Sequence, residues 1–115
     1  MITLYGIPNC DTIKRSRKWL EDHGIEYQFH DYKKRQCPPE LIASFLEHFD
    51  YKQLINTSGT TWRKLPDTVK ESLDKKYTIR LMSEQPSMIK RPIIETGKGW
   101  LLGYNEEELI SALLR

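Results

Sequence analysis

Only two cysteines, Cys10 and Cys37, occur among the 115 residues, too few for a disulfide framework to hold a small fold together. No stretch approaches the roughly 18 consecutive apolar residues that a membrane-spanning helix requires. The opening residues, Met1 to Gly6, carry neither the basic region nor the long apolar run of a secretory signal. The expected location is therefore the cytoplasm, a reducing compartment in which both thiols stay free until something reacts with them. Charge of one sign is also lacking. Eighteen Lys and Arg face 16 Asp and Glu, a formal net charge of +2, and the signs are interleaved, so net charge alone gives no argument for nucleic acid. His23, His30 and His48 have neither metal-ligand spacing nor a cysteine pair beside them, and no metal site is expected. Trp19, Trp62 and Trp100 form no stacking series and read as core or pocket wall.

What is present is an ordinary globular balance, 38% hydrophobic and 30% charged residues, on a chain long enough for one core; a single domain over 1–115 is expected. Ile2 to Tyr5 alternates apolar and polar residues and stops at the turn cluster Gly6-Ile7-Pro8-Asn9, which predicts a short strand delivering the chain to Cys10. Good helix formers follow from Asp11 to about His23, with Ile13, Trp19 and Leu20 facing inward and Gly24 as the C-terminal cap. Ile25 to Asp31 alternates strictly and predicts a second strand with Ile25, Tyr27 and Phe29 on one face. The opening is thus βαβ.

Pro38-Pro39 opens a helix whose Leu41, Ile42, Phe45, Leu46 and Phe49 share one face. The polar segment Asn56 to Thr61 breaks this pattern, and two short helices are expected at Asp67 to about Lys75 and at Thr78 to Ser83. Ile93 to Glu95, Gly97-Lys98-Gly99 and Trp100 to Leu102 read as strand, turn and strand. Asn105, with Glu108 three residues on, caps a final helix carrying Leu109, Ile110, Leu113 and Leu114. This order is α/β: a small mixed sheet flanked by helices, a thioredoxin-like core with a helical insertion at about 38–88.

Cys10 is the first candidate for chemistry. A sulfur at the start of a helix faces unpaired backbone N–H groups and the positive end of the helix dipole, and both favour the nucleophilic thiolate. Lys14 and Arg15 add to this if they lean back toward the sulfur; the competing reading is a small thiol that only packs. Pro92, just ahead of a buried strand, interrupts the ladder and marks a candidate cis peptide. Arg91 then either presents a planar charged fork to an anion or is a solvated surface arginine. Cys37, in a basic segment, reads as a spare surface or loop thiol, or as a resolving thiol if the loop brings it close. Lys33-Lys34-Arg35 reads as a solvated loop.

Tyr5-Gly6-Ile7-Pro8-Asn9-Cys10-Asp11-Thr12-Ile13-Lys14 and Met88-Ile89-Lys90-Arg91-Pro92-Ile93, together with Asn56 to Leu65 and the Gly-Lys-Gly turn, resemble the arsenate reductase (ArsC) family in its Spx/YffB-like branch over essentially the whole chain. The resemblance implies a glutaredoxin-like thioredoxin fold, a nucleophile at Cys10, and substrate contacts from Arg91, Lys14, Pro92, Asp11 and Thr12. It also implies glutathione, with or without glutaredoxin, as reductant and no tightly bound cofactor. Two departures matter. Asn56 and Tyr104 stand where arsenate reducers place two further oxyanion-binding arginines, and Gly6 stands where they place a histidine ahead of the cysteine. Ile13 also rules out the Cys-x-x-Cys pair common in Spx regulators. The expected function is glutathione-dependent thiol reduction, with arsenate reduction and Spx-like docking on RNA polymerase as alternatives.

Overall fold

The computed structural model describes residues 1–115, whose contacts gather into two compact units, residues 1–35 with 91–115, and residues 36–90. In chain order the first unit begins with β1 (Ile2–Gly6), α1 (Asp11–Asp22), β2 (Tyr27–Asp31) and α2 (Tyr32–Arg35). The second holds α3 (Pro39–Phe45), α4 (Tyr51–Leu54), α5 (Thr60–Arg63), α6 (Asp67–Glu71), α7 (Lys75–Glu84) and a 3-10 turn at Pro86–Met88. The chain then returns to the first unit as β3 (Ile93–Glu95), β4 (Trp100–Leu102) and α8 (Glu106–Leu113).

The first unit is built on a four-stranded sheet in the order β2-β1-β3-β4. β1 runs parallel to β2 and antiparallel to β3, and β3 pairs antiparallel with β4. Because side chains alternate across a strand, the register that sets Leu4 opposite Phe29 and Ile94 gives one face to Leu4, Phe29, Ile94 and Leu101. That face packs with Ile13, Trp19 and Leu20 of α1 and Leu109 of α8 in a single core cluster. Tyr5 lies on the opposite face, in ring contact with His30 of β2 and stacked on Trp100 of β4.

Local chemistry explains the boundaries. Gly24 has φ +66°, its N–H donates to the Glu21 carbonyl at 3.1 Å, and the Ile25 N–H donates to the Leu20 carbonyl at 2.9 Å; this paired closure ends α1 at the expected glycine. β2 begins at Tyr27, two residues later than expected. The expected solvated loop at Lys33 to Arg35 is instead the helical turn α2, because the buried Asp31 carboxylate accepts the Lys33 N–H at 2.9 Å and starts it. Thr96 shapes the hairpin: its hydroxyl oxygen accepts the N–H groups of Lys98 and Gly99, and Gly97 takes φ +84°. Asn105 caps α8 as expected, its side-chain oxygen accepting the Glu108 N–H at 3.1 Å.

The second unit is a set of short helices. The Pro38-Pro39 helix stops at Phe45, burying Ile42 and Phe45, and does not reach Phe49. Asp50 and Gln53 form a reciprocal capping box that starts α4 separately, so the chain must leave the helix before it. α5 begins inside the segment expected to be irregular. Asp74 accepts the Tyr77 N–H at 2.7 Å, which moves the start of α7 to Lys75 and leaves α6 only Asp67–Glu71. Ile55 and Ile89 form an isolated antiparallel bridge, flanked by bonds from the Lys90 N–H to the Leu54 carbonyl at 2.6 Å and from the Asn56 N–H to the Met88 carbonyl at 2.7 Å. No helix is long and apolar enough to cross a membrane.

Candidate active site around Cys10

β1 ends at Gly6, and the Ile7-Pro8-Asn9 loop carries the chain to Cys10, the N-cap of α1, in extended conformation with φ −148° and ψ 127°. The Cys10 carbonyl accepts the first intrahelical bond, from the Lys14 N–H at 2.9 Å. Its sulfur therefore sits where the helix has N–H groups to spare. One step beyond the β1–β3 register, which pairs Tyr5 with Ile93, lies Pro92 against Gly6. The Arg91–Pro92 peptide is cis, the Pro92 carbonyl accepts the Gly103 N–H at 2.8 Å, and the Arg91 Nε–H donates to Cys10 Sγ at 3.3 Å.

Partial burial pushes the Cys10 thiol up. The Arg91 hydrogen bond, the Ile13 and Thr12 N–H groups and the Arg91 charge outweigh it, and the pKa falls below the ordinary value. The two amides act as dipoles facing the sulfur; no closed cap hydrogen bond from the side chain is formed. The dominant favourable contact is thus the guanidinium supplied from residue 91.

Of the six residues singled out, the fold gathers Cys10, Arg91, Pro92 and the Thr12 backbone. Asp11 and Lys14 are exposed on the first turn of α1, and neither makes a side-chain hydrogen bond or ion pair. Arg15 does not lean on the sulfur: its guanidinium lies over the Tyr104 ring at 5.7 Å from the centroid. Tyr104 and Cys10 both pack against the edge of the core cluster. The sequence singles out each partner for another reason but not their contact, because 89 positions separate them.

Gly6 is required by packing. A Cβ there would stand 2.3 Å from Ile13 Cδ1 and 3.8 Å from Arg91 Cβ. Ile13, fully buried, occupies the space that any side chain at position 6 would need, so this site has no room for a histidine there.

Cys37 corrects an expectation. It is neither a surface nor a loop-exposed thiol but 1% exposed, and burial pushes its pKa up to about 12. Such a thiol is protonated and inert at neutral pH, which removes it as a resolving group. Its carbonyl accepts the Ser83 hydroxyl at 2.9 Å. Asn56 is engaged in its own turn, its side-chain oxygen accepting the Ser58 N–H at 3.3 Å. Of the tryptophans, Trp19 is core as expected, whereas Trp62 is half-buried under Lys70 and Trp100 is half-buried and stacks on Tyr5.

A βαβ unit joined to an antiparallel hairpin and helix, with the N-capping thiol beside a cis-proline, defines a thioredoxin-fold protein. Within that class the chain belongs to the ArsC family, whose pattern it matches over residues 5–112. It is 45% identical over 113 residues to an uncharacterized protein of Haemophilus influenzae, covering 97% of this chain and 98% of that one. It is 33% identical over 118 residues to the global transcriptional regulator Spx of Streptococcus agalactiae, covering 100% of this chain and 85% of the regulator. Among solved structures, the YFFB (PA3664) protein superposes with TM-score 0.93 at 41% identity, covering 98% of this chain and 99% of that one. An arsenate reductase (ArsC) related protein from Brucella melitensis gives TM-score 0.78 at 45% identity, with 96% and 92% covered.

Proposed function

We propose that the protein is a glutathione-dependent thiol reductase whose single nucleophile is Cys10. The observation that carries this reading is the Arg91 Nε–H bond to Cys10 Sγ at 3.3 Å, which places a permanent cation on a sulfur already at a helix N-cap. The Cys10 thiolate attacks one sulfur of a disulfide. The old S–S bond breaks, its electron pair leaves on the departing thiolate, and a mixed disulfide forms at Cys10. A glutathione thiolate then attacks the substrate sulfur of that mixed disulfide and releases Cys10 as thiolate. Arg91 stabilises the sulfur anion at the start and end of the cycle.

Arsenate reduction fits less well. An oxyanion as compact as arsenate needs several cations converging on it, whereas Tyr104 and Asn56 are neutral and Gly6 leaves no room for a histidine. The Spx relatives favour a second reading, a module that docks on RNA polymerase with Cys10 at most a sensor. The two are separated by measuring Cys10 alkylation against pH by intact mass, with and without glutathione disulfide, using Cys10→Ser and Cys37→Ser as controls. A midpoint below the free-thiol value of about 8.5, with one glutathione added at Cys10, supports the reductase. A midpoint at or above that value without an adduct leaves the docking module as the better account.

A further inference from the structure

Besides Arg91, the guanidinium of Arg15 is held against an aromatic ring, on the second turn of α1. Arg15 sits five residues past Cys10 on α1, about 7.5 Å further along the helix axis, and the ring it rests on, Tyr104, packs against the same core cluster as Cys10. Arg15 is exposed and makes no ion pair in the chain, yet its side chain is seated on the Tyr104 ring. Stacking on an aromatic face holds a guanidinium in place while leaving its edge N–H groups free to donate. Tyr104 is itself fixed: it packs on the core cluster, and the preceding Gly103 is tied to the Pro92 carbonyl.

Arg15 and Arg91 differ in one decisive respect. Arg91 donates directly to Cys10 Sγ, whereas the Arg15 guanidinium rests on the Tyr104 ring and makes no hydrogen bond to the reacting sulfur. A cation so placed contributes little to an anion centred at the sulfur, but it meets a negative group that the substrate carries several bonds away. Resting on the thiol-exchange reading above, we infer that Arg15, seated on Tyr104, is a substrate-binding residue that selects thiols and disulfides bearing a carboxylate remote from their sulfur. Glutathione, with a carboxylate at each end of a short peptide, belongs to that class.

The test compares reduced wild type, Arg15→Gln, Arg15→Lys and Lys18→Gln in their reaction with glutathione disulfide and with uncharged hydroxyethyl disulfide, followed by intact mass at varied concentration. Arg15→Gln is expected to raise the half-saturating concentration of glutathione disulfide about five- to tenfold, the scale of one charge-assisted contact at a wet site. The preference for the charged disulfide should fall by the same factor. Arg15→Lys restores part of it. Lys18→Gln removes the same unit of charge from the same helix, at a residue paired with Asp22, and keeps the wild-type preference. An Arg15→Gln protein with undiminished preference overturns the inference, as does a Lys18→Gln protein that loses as much. Wild type forming adducts with both disulfides without preference overturns it while leaving thiol exchange standing. No adduct with either overturns the thiol-exchange reading and this inference with it.

Discussion

At the scale of single residues, the two cysteines are opposites made by their surroundings. For Cys10 the Arg91 hydrogen bond is the largest single contact that lowers the thiol pKa, and the N–H groups of Ile13 and Thr12 at the helix end add to it. Arg91→Gln should therefore move the alkylation midpoint upward and slow alkylation at pH 7 by roughly tenfold. Arg91→Lys, which keeps a charge but not the Nε–H fork, should fall between; unchanged rates in both variants would assign the thiolate to the helix end instead. Cys37 is the reverse case. Its folded pKa is pushed up to about 12, so above about pH 8.5 the unfolded chain gives up a proton that the folded chain keeps. The folded state then binds more protons, and stability falls as pH rises, by about 1.4 kcal/mol per pH unit. Urea unfolding of wild type at pH 7 and pH 9.5 should show this loss, and Cys37→Ala, whatever its cost at pH 7, should not. An equal alkaline loss in Cys37→Ala would mean that other groups cause it.

Secondary-structure elements meet at the site with almost no slack. Ile13 of α1 fills the hollow over Gly6 of β1, and the same glycine lies against the Arg91 Cβ, so helix, strand and cis-proline turn are mutually wedged. Gly6→Ala should cost about 1 to 3 kcal/mol, the usual range for overpacking a filled core. Ile13→Val, which removes the offending Cδ1, should itself cost about 0.5 to 1.5 kcal/mol. The double variant should nevertheless be more stable than the sum of the two losses predicts, as thermal unfolding of all four proteins would measure; simple additivity would mean that Ile13 yields without strain. This element-level fit was only half visible in the sequence. The turn cluster after β1, the Gly24 cap and the Asn105 cap were legible because each is a local signal within a few residues. Cys10 and Arg91-Pro92 were legible as separate motifs, each marked by its own local sequence. The Arg15–Tyr104 contact and the burial of Cys37 were not, because both depend on packing between distant segments that no local pattern encodes.

On the scale of the molecule, the chain divides its labour unevenly. The sheet, the thiol and both site arginines belong to a unit made from two separated stretches of sequence, whereas residues 36–90 form a continuous unit of short helices. Sequence reading erred most in this second unit, for a physical reason. Helices of four to ten residues lie below the length at which propensity or periodicity decides the outcome, so caps such as Asp50 and Asp74 set their ends. The same brevity bears on stability. α5 and α6 bury no residue, and their side-chain ties are polar and partly exposed, the Thr61–Ser87 hydroxyl contact and Lys70 over the Trp62 ring, which hold a short helix weakly. β1 and β3, by contrast, contribute the fully buried Leu4, Ile93 and Ile94 through pairings that join residue 4 to residue 94. Native-state hydrogen exchange should accordingly find amides of α5 and α6 opening with little free energy and little dependence on denaturant. Those of β1 and β3 should exchange only through near-global unfolding, with the full denaturant slope. If α5 and α6 amides instead matched β1 in both rate and slope, the whole chain would unfold as one cooperative body, and the thiol site could not stay folded while that part of the second unit opens.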